Sequence, residues 1–213
     1  MTSAARTTSN KSNVGRSLPK RSEPRERLLA TASELFYTEG INTVGVDRIV
    51  SASNVTLATF YRHFPSKQAL VVCYLRAIHD HLVGQAAILA ERFQGSDLVA
   101  ELGTEVIGEI GRPGYRGCAF INAASEFEDP ASPVRIVVAE HRQWYYERVR
   151  RAFADAGHSS PANPARNFVM LRDGAVTAAY LDSAASAKRT FKRGVDGLVW
   201  SIGIETIPGS DDD

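Results

Sequence analysis

Apolar side chains recur every three to four residues along almost the whole chain from Arg25 onward. This spacing puts them on one face of an α-helix. No segment alternates apolar and polar residues as a strand does, and no stretch repeats at a fixed period. The pattern therefore predicts an all-α fold of about nine helices.

The N-terminal part of the pattern predicts one helix followed by two short ones. The first starts at Arg25 and stops at Gly40, and the second lies within residues 43–53. The third follows Thr56, which is expected to be its N-cap, and it ends before Pro65.

A fourth, much longer helix is expected to follow. It starts after the N-cap Ser66 and keeps an apolar stripe to about Phe93, so it is long enough to pass from one domain into another. Glycine and proline separate the five helices that remain. Two of these are expected to begin with a polar N-cap followed by proline, at Ser132-Pro133 and at Asn163-Pro164.

Charge is distributed unevenly, although the formal net charge of the 213 residues is only +1. Residues 1–80 contain 11 Lys and Arg against 6 Asp and Glu, whereas residues 81–213 contain 14 against 18. The net charge of the whole chain excludes a strongly acidic or basic protein, but the excess of positive charge in the N-terminal part allows that part to bind a polyanion.

Cysteine content and hydropathy exclude further classes of protein. The two cysteines, Cys73 and Cys118, do not have metal-ligand spacing, so no disulfide framework, zinc site or cofactor is expected. No stretch approaches the ~20 apolar residues of a membrane span, and the first 24 residues are too polar for a secretory signal. The expected location is the cytosol, with no membrane partner.

The third helix has the features of a recognition helix. Phe60 and Phe64 are four residues apart and are expected to point into the core together. The three residues between them, Tyr61, Arg62 and His63, then face outward, toward phosphates and base edges. Two short helices joined by a tight turn, the second capped by threonine, are typical of a helix-turn-helix. The alternative is a solvated amphipathic helix.

The residues that carry this pattern also resemble a known family. The segment ELFYTEGINTVGVDRIVSASNVTLATFYRHFPSKQAL is similar to the DNA-binding segment of TetR/AcrR transcriptional repressors, over about residues 25–80. Its TFYRHFPSK element is highly specific. The resemblance implies a homodimeric, all-α bacterial repressor in the cytosol and on the nucleoid, with a variable C-terminal ligand domain.

The resemblance also implies roles for single residues. Tyr61 and His63 correspond to phosphate anchors, Arg62 and Thr59 to groove readers, and Lys67 to a phosphate contact. The full set of predicted DNA-binding residues is Thr43, Arg48, Thr56, Leu57, Ala58, Thr59, Tyr61, Arg62, His63 and Lys67.

Two residues depart from the family pattern. Asn54 stands where the family usually has glycine, and asparagine is the non-glycine residue that best tolerates left-handed backbone. Leu57 replaces a residue that is commonly polar, which favours contact with a thymine methyl group or no base contact.

These observations divide the chain into four regions. We expect a flexible basic arm over 1–22, a helix-turn-helix DNA-binding domain over 23–70, a C-terminal ligand-binding and dimerisation domain over 71–207, and an acidic tail over 208–213. The arm either contacts DNA or is a solvated tail without a role.

The last two helices are candidates for the dimer interface, because their apolar stripes include small residues that permit close helix approach. The predicted interface residues are Phe168, Leu171, Ala175, Ala179, Phe191, Val195 and Leu198. The alternative is that these stripes are ordinary internal core.

Aromatic and sulfur-containing side chains on the C-terminal helices are candidates for a ligand cavity beside the fourth helix. They suit a small apolar or aromatic effector. The predicted lining is Leu82, Phe120, His141, Trp144, Tyr145, Met170 and Tyr180, with Asn122 and Glu126 as possible polar anchors. Each aromatic residue is about as often plain core as cavity lining.

Three classes of function compete. The first is a homodimeric repressor that leaves a palindromic double-stranded operator when an effector binds. The second is an effector-independent DNA-binding protein whose C-terminal half only dimerises. The third, a helical enzyme, is disfavoured because the sequence lacks GxSxG, HExxH, phosphate-loop and di-iron motifs.

Overall fold

The computed structural model describes residues 22–205, and these form nine α-helices without any strand. The predicted basic arm, apart from Ser22, and the predicted acidic tail lie outside the described residues. The helices are α1 (Glu23–Glu39), α2 (Val46–Ser53), α3 (Leu57–His63), α4 (Lys67–Arg92), α5 (Gly95–Glu109), α6 (Ala119–Glu126), α7 (Pro133–Asp155), α8 (Ala162–Ala178) and α9 (Ala184–Glu205). The all-α prediction is confirmed.

Side-chain caps fix three of the helix starts. The hydroxyls of Thr56, Ser66 and Ser132 each accept a hydrogen bond from the backbone N–H three residues later, over 3.1, 3.1 and 3.2 Å. Such a cap satisfies one of the N–H groups that the first helical turn leaves without a partner. The predicted starts of α3, α4 and α7 are therefore confirmed.

The predicted start of α8 is wrong. The helix begins at Ala162, with Pro161 at the N-cap position, and no side chain caps it. Pro161 has a φ of −68°, which already suits a helix, so the chain enters α8 before Asn163. Pro164 is tolerated there because it lies in the first turn, where a backbone N–H has no helical acceptor.

The first hydrophobic core joins α1–α4. Leu28, Ile49, Phe60 and Leu70 are fully buried in it, one from each of these helices. The same core continues into α6 and into the first turns of α7, with Phe120, Ala123, Val134, Val137 and Val138. The first three helices are thus held against the rest of the chain by continuous apolar packing.

The second core lies among α5, α7, α8 and α9. Phe153, Phe168 and Phe191 are its largest fully buried side chains. The rings of Phe168 on α8 and Phe191 on α9 are 5.7 Å apart, so the chain must reverse between the two helices. It does so through Ala179–Ser183, a segment with π-helical hydrogen bonding.

Helix α4 reaches both cores. Its 26 residues correspond to a rod of about 39 Å at 1.5 Å per residue. Leu70, Tyr74 and Leu75 are buried in the first core, and Leu89 packs against the second. The predicted continuity of this helix is confirmed.

None of the helices in the described part of the chain combines the length and apolar character that a bilayer span requires.

Candidate functional site

The turn between α2 and α3 depends on Asn54. Its backbone has φ 52° and ψ 50°, and it is the one residue other than glycine with positive φ among the described residues. The N–H of Asn54 donates to the carbonyl of Ser51, and the N–H of Val55 donates to that of Val50. These bonds close the C-terminus of α2 in the manner of a Schellman motif. The left-handed conformation expected at Asn54 is confirmed.

Helix α3 is fixed on one side and free on the other. Phe60 and Phe64 are 0% and 1% exposed, and their ring centroids are 6.1 Å apart. On the opposite side Leu57 is 45% exposed and Tyr61 is 53% exposed. Arg62 is also exposed, and it has no ion-pair partner within residues 22–205. The buried rings therefore anchor a short helix whose outer face remains available.

The other candidate DNA contacts are less uniformly exposed. His63 is partly buried, and its Nε2 lies 3.3 Å from the hydroxyl of Ser22, which precedes α1. Lys67, in the first turn of α4, is also partly buried, and burial lowers the pKa of its ammonium. Both side chains flank α3 and keep polar groups at its C-terminal end.

The remaining candidates surround α3. Thr43 and Ala58 are exposed, and Thr59 is partly buried with its hydroxyl 2.9 Å from that of Thr56. Arg48 on α2 is exposed, but its Nη2 lies 3.1 Å from the carboxylate of Glu39 at the end of α1. An exposed pair of this kind is weak, so the guanidinium can exchange that carboxylate for a phosphate.

A hydrogen-bonded seam connects the helix-turn-helix unit to the C-terminal helices. The carboxylate of Glu126, at the end of α6, accepts hydrogen bonds from the backbone N–H groups of Ile41 and Asn42. The side chain of Arg116 donates to the carbonyl of Thr38 at the end of α1. The loop between α1 and α2 is therefore held directly by α6 and by the segment before it.

Sequence reasoning missed this seam. Asn122 and Glu126 are the possible polar anchors for a ligand, but neither lines the two cavities found among the described residues of α4–α8. Asn122 donates to the carbonyl of Arg116, and Glu126 satisfies the backbone of residues 41 and 42. The acceptors and donors involved are mainly backbone groups, which leave no mark on the sequence.

A cavity of about 730 Å³ lies among α4, α5, α7 and α8. A second cavity of about 490 Å³ adjoins it and reaches α1. Leu82, His141, Trp144 and Tyr145 line the larger cavity, and Leu82 and Phe120 line the smaller one. The structure thus brings five of the seven predicted ligand residues together around one hollow region.

Met170 and Tyr180 are not on these walls, so their predicted placement is wrong. Met170 is 72% exposed on the outer face of α8, because it lies about 200° around the helix from the fully buried Phe168. Tyr180 is 51% exposed in the π-helical turn, where its ring lies 5.9 Å from the guanidinium of Arg116.

A pair of histidines joins α4 to α7 beside the cavity. The Nδ1 atoms of His79 and His141 are 3.1 Å apart, so one ring donates and the other accepts. The His141 ring also stacks on Phe120 at a centroid distance of 3.6 Å. Burial, together with the positive charge of Arg172, lowers the pKa of His141 to about 3, which keeps the ring neutral near neutral pH.

Three arginines add positive charge to the wall of the larger cavity: Arg112, Arg148 and Arg172. Arg148 lies 2.9 Å from Glu105, and burial raises the pKa of the Glu105 carboxyl despite this neighbour.

Within the described residues, no group of three or more His, Cys, Asp or Glu side chains is placed to hold a metal ion.

The predicted dimer residues divide into two sets. Phe168, Ala175, Phe191 and Val195 are at most 7% exposed, because they pack in the second core of their own chain. They are internal core in the protomer, which corrects their expected place on its surface. Leu171, Ala179 and Leu198 are partly buried.

The outer face of α8 and α9 has a different set of apolar groups. A groove of about 700 Å³ runs between the two helices, and its wall includes Met170, Gly174, Gly197 and Leu198. Trp200, further along α9, is 71% exposed. Four of the seven predicted interface residues, Leu171, Ala175, Phe191 and Leu198, also line this groove, whereas Met170 and Trp200 were not among the predicted ones.

Comparisons with known proteins agree with this architecture. Residues 28–72 match the sequence model of the family described as bacterial regulatory proteins, tetR family. Over 69 residues the chain is 39% identical to FasR, an HTH-type transcriptional activator of Mycolicibacterium smegmatis. That match covers 32% of this chain and 31% of FasR, so it spans about a third of this curated relative.

Solved structures extend the similarity over the whole fold. SCO4454, a TetR-family transcriptional regulator from Streptomyces coelicolor, is 38% identical with a TM-score of 0.81, and the match covers 84% of this chain and 95% of SCO4454. A TetR transcriptional regulator from Legionella pneumophila shares the fold at 19% identity, with a TM-score of 0.74 and coverage of 83% and 97%. Because SCO4454 is 38% identical and the match covers more than four fifths of each chain, this chain belongs to the TetR family, whose members are DNA-binding transcriptional regulators that form dimers and are not enzymes.

Proposed function

We propose that this protein is a homodimeric repressor that binds a palindromic operator through α3 and leaves it when a small, largely apolar or aromatic effector binds. The observation that carries the proposal is the exposed pair Tyr61 and Arg62 on a helix anchored by the buried rings of Phe60 and Phe64. The protein acts in the bacterial cytosol, on the nucleoid.

Each exposed group on α3 has a role that its chemistry supports. The guanidinium of Arg62 presents a planar fork that matches the O6 and N7 atoms of guanine. The phenol of Tyr61 donates to a phosphate oxygen, and the N-terminus of α3 at Thr56 favours a second phosphate. Leu57 offers an apolar contact for a thymine methyl group.

The outer face of α8 and α9 is the proposed dimer contact. It combines small residues, Gly174 and Gly197, with the large exposed side chains of Met170 and Trp200. An exposed apolar groove flanked by polar residues is typical of a protein interface. Two α3 helices in one dimer then read two half-sites, which requires a palindrome.

The effector is proposed to occupy the hollow region among α4, α5, α7 and α8. Two physical connections lead from there to α3: the continuous rod of α4, and the bonds from Glu126 and Arg116 to the loop after α1. A ligand that binds better to the DNA-free arrangement lowers operator affinity, typically by ~1–3 kcal/mol of coupling. The hollow interior favours this function over an effector-independent one.

The first test is selection of bound duplexes from a random pool. We expect an enriched palindromic site, bound by two protein copies, with an affinity that falls steeply as salt rises. Enrichment of an asymmetric site bound by one copy contradicts the dimer, and no enrichment contradicts the DNA-binding function. Because FasR is described as an activator, a reporter gene placed behind the recovered site decides between repression and activation.

The second test uses linkage between the two sites. A compound that releases the operator must itself bind more weakly, by the same factor, when the operator is saturating. Equal affinities of the compound for the free and the operator-bound protein mean that it is not an effector.

A further inference from the structure

One arginine lies where the two cavities adjoin. The side chain of Arg172 on α8 is only 14% exposed, and it lies on the walls of both the larger and the smaller cavity. Its guanidinium stands over the ring of Tyr145 at 5.4 Å. A buried guanidinium is costly unless acceptors satisfy its N–H groups, so its partners decide what the cavity can bind.

Those partners leave the guanidinium incompletely compensated. Its Nη1 donates to Asp173 over 3.0 Å, but the other oxygen of that carboxylate lies 2.8 Å from Arg142. One carboxylate therefore serves two cations. The acceptor for Nη2 is the sulfur of Cys118 at 3.3 Å, and a thiol sulfur is a weak acceptor.

The surrounding charges do not supply the missing anion. On the wall of the larger cavity, Arg112, Arg148 and Arg172 face two carboxylates, Glu105 and Glu109. Glu105 already lies 2.9 Å from Arg148, and Glu109 is an exposed residue at the end of α5. Asp173 and Arg142 next to Arg172 add one negative and one positive charge, so four arginines meet three carboxylates and an excess of one positive charge remains when the histidines are neutral.

The remaining wall is aromatic and suits a flat molecule. Trp144 and Tyr145 are adjacent on α7 with ring centroids 6.3 Å apart, and both line the larger cavity. Each ring also has a guanidinium over it, from Arg148 at 5.9 Å and from Arg172 at 5.4 Å. Flat aromatic surfaces beside fixed cations are the elements of a site for an aromatic anion.

We propose that the effector is an aromatic carboxylic acid whose carboxylate is held by Arg172. The carboxylate replaces the Cys118 sulfur as the acceptor for Nη2, and the aromatic body lies against Trp144 and Tyr145. A guanidinium and a carboxylate match as two planar forks, which gives geometric selectivity as well as binding energy. This inference rests on the proposed function of the cavity as the effector site.

The test is calorimetric titration of the full-length protein, without DNA, with matched pairs of compounds. Benzoate, 2-naphthoate and anthracene-9-carboxylate vary the size of the ring system, and each is compared with its neutral amide. We expect at least one acid to bind about tenfold or more tightly than its amide, since charge-assisted bonds to a buried guanidinium distinguish the two.

Variants assign the effect to one residue. Arg172→Gln should remove the difference between acid and amide, and Arg172→Lys should keep only part of it because the fork is lost. Arg76→Gln is the matched control, since Arg76 on α4 pairs with Glu140 and is not on the wall of either cavity, and it should keep the full difference. Circular dichroism confirms that each variant is folded.

Three outcomes overturn the proposal. The first is equal binding of acid and amide by the wild-type protein, and the second is an acid preference that survives Arg172→Gln. The third is that no acid in the series binds more tightly than about 1 mM, the weak end of specific binding. All three are read without an operator, so they are independent of whether duplex selection supports the DNA-binding function.

Discussion

The outer face of α3 and the cavity among α4, α5, α7 and α8 present their side chains in opposite ways. On α3, Tyr61 is 53% exposed and Arg62 has no ion-pair partner within the described residues. Around the cavity, several polar groups are at least partly buried and lie against one another, as Arg148 does against Glu105 and His79 against His141. A site for a large external partner can be built on one short helix, whereas a site that encloses a small molecule needs several distant segments.

The helix pair α8 and α9 also has one buried and one exposed face. Its inner face holds Phe168 and Phe191, both almost fully buried, and its outer face holds Met170 and Trp200, both more than 70% exposed. Substitutions on the two faces should therefore have different consequences, one for folding and the other for association.

The largest expected effect tests this difference between faces. Phe191→Glu places a carboxylate in the second core without a partner, and it should lower the free energy of unfolding by ~4–5 kcal/mol or more. Trp200→Glu should leave each protomer folded but should dissociate the dimer. Urea unfolding and light scattering measure the two effects. A folded Phe191→Glu protein, or a dimeric Trp200→Glu protein, contradicts the assignment of the faces.

The next effect concerns the anchoring of α3. Phe60→Ala should destabilise the protein by ~3–4 kcal/mol, because the ring is fully buried and its removal leaves a cavity. Leu57→Ala on the exposed side of the same helix should change stability by less than ~0.5 kcal/mol. Urea unfolding of both variants provides the comparison, and similar losses would mean that the two faces of α3 are not distinct.

The seam between the two parts of the molecule should have an intermediate effect. Glu126→Gln weakens two charge-assisted bonds to backbone N–H groups, so it should cost ~1.5–2 kcal/mol. Glu128→Gln is the control, because Glu128 is exposed and only two residues away. Thermal unfolding checks both variants. Equal stability of the two would show that the seam does not hold the α1–α2 loop.

Acid should destabilise the protein through His141. Its pKa in the folded protein is about 3, below the ordinary 6.5, so the unfolded chain binds the extra proton between these values. This contribution to stability is complete above pH 6.5 and is lost as the pH falls toward 3, with a slope of at most ~1.4 kcal/mol per pH unit. His141→Leu should flatten the pH dependence of urea unfolding between pH 7 and 5 (roughly the range in which histidine titrates). An unchanged slope argues against a neutral, buried His141.

The smallest expected effect is at the turn of the helix-turn-helix. Asn54 has left-handed backbone, so Asn54→Gly should be tolerated, whereas Asn54→Val should cost ~1 kcal/mol because a β-branched residue is strained there. Melting temperatures measure the difference. If Asn54→Val and Asn54→Gly have the same melting temperature, the turn accommodates a β-branched side chain and the expectation is wrong.

Local patterns explain which of these features could be predicted from the sequence. The caps at Thr56, Ser66 and Ser132, and the spacing of Phe60 and Phe64, depend on residues within one helical turn of each other. The left-handed turn at Asn54 is local as well. The all-α fold and the three-helix unit followed from such signals.

Features that depend on how each helix is rotated against its neighbours could not be predicted from the sequence. Whether Met170 or Phe168 faces the interior of α8 is decided by how α9 packs, and the π-helical turn at Tyr180 changes the phase between the two helices. The pairing of His79 with His141 and the bonds from Glu126 to residues 41 and 42 join positions far apart in the sequence. No periodicity marks such contacts.

The central claim is that the exposed face of α3 reads DNA sequence, and Arg62 tests it most directly. Duplex selection with the wild-type protein and with Arg62→Ala gives two binding profiles that can be compared base by base. The account predicts that the variant loses its preference at one position in each half-site of the palindrome and keeps the rest. An unchanged profile, or a loss of affinity that is equal for all sequences, would contradict it.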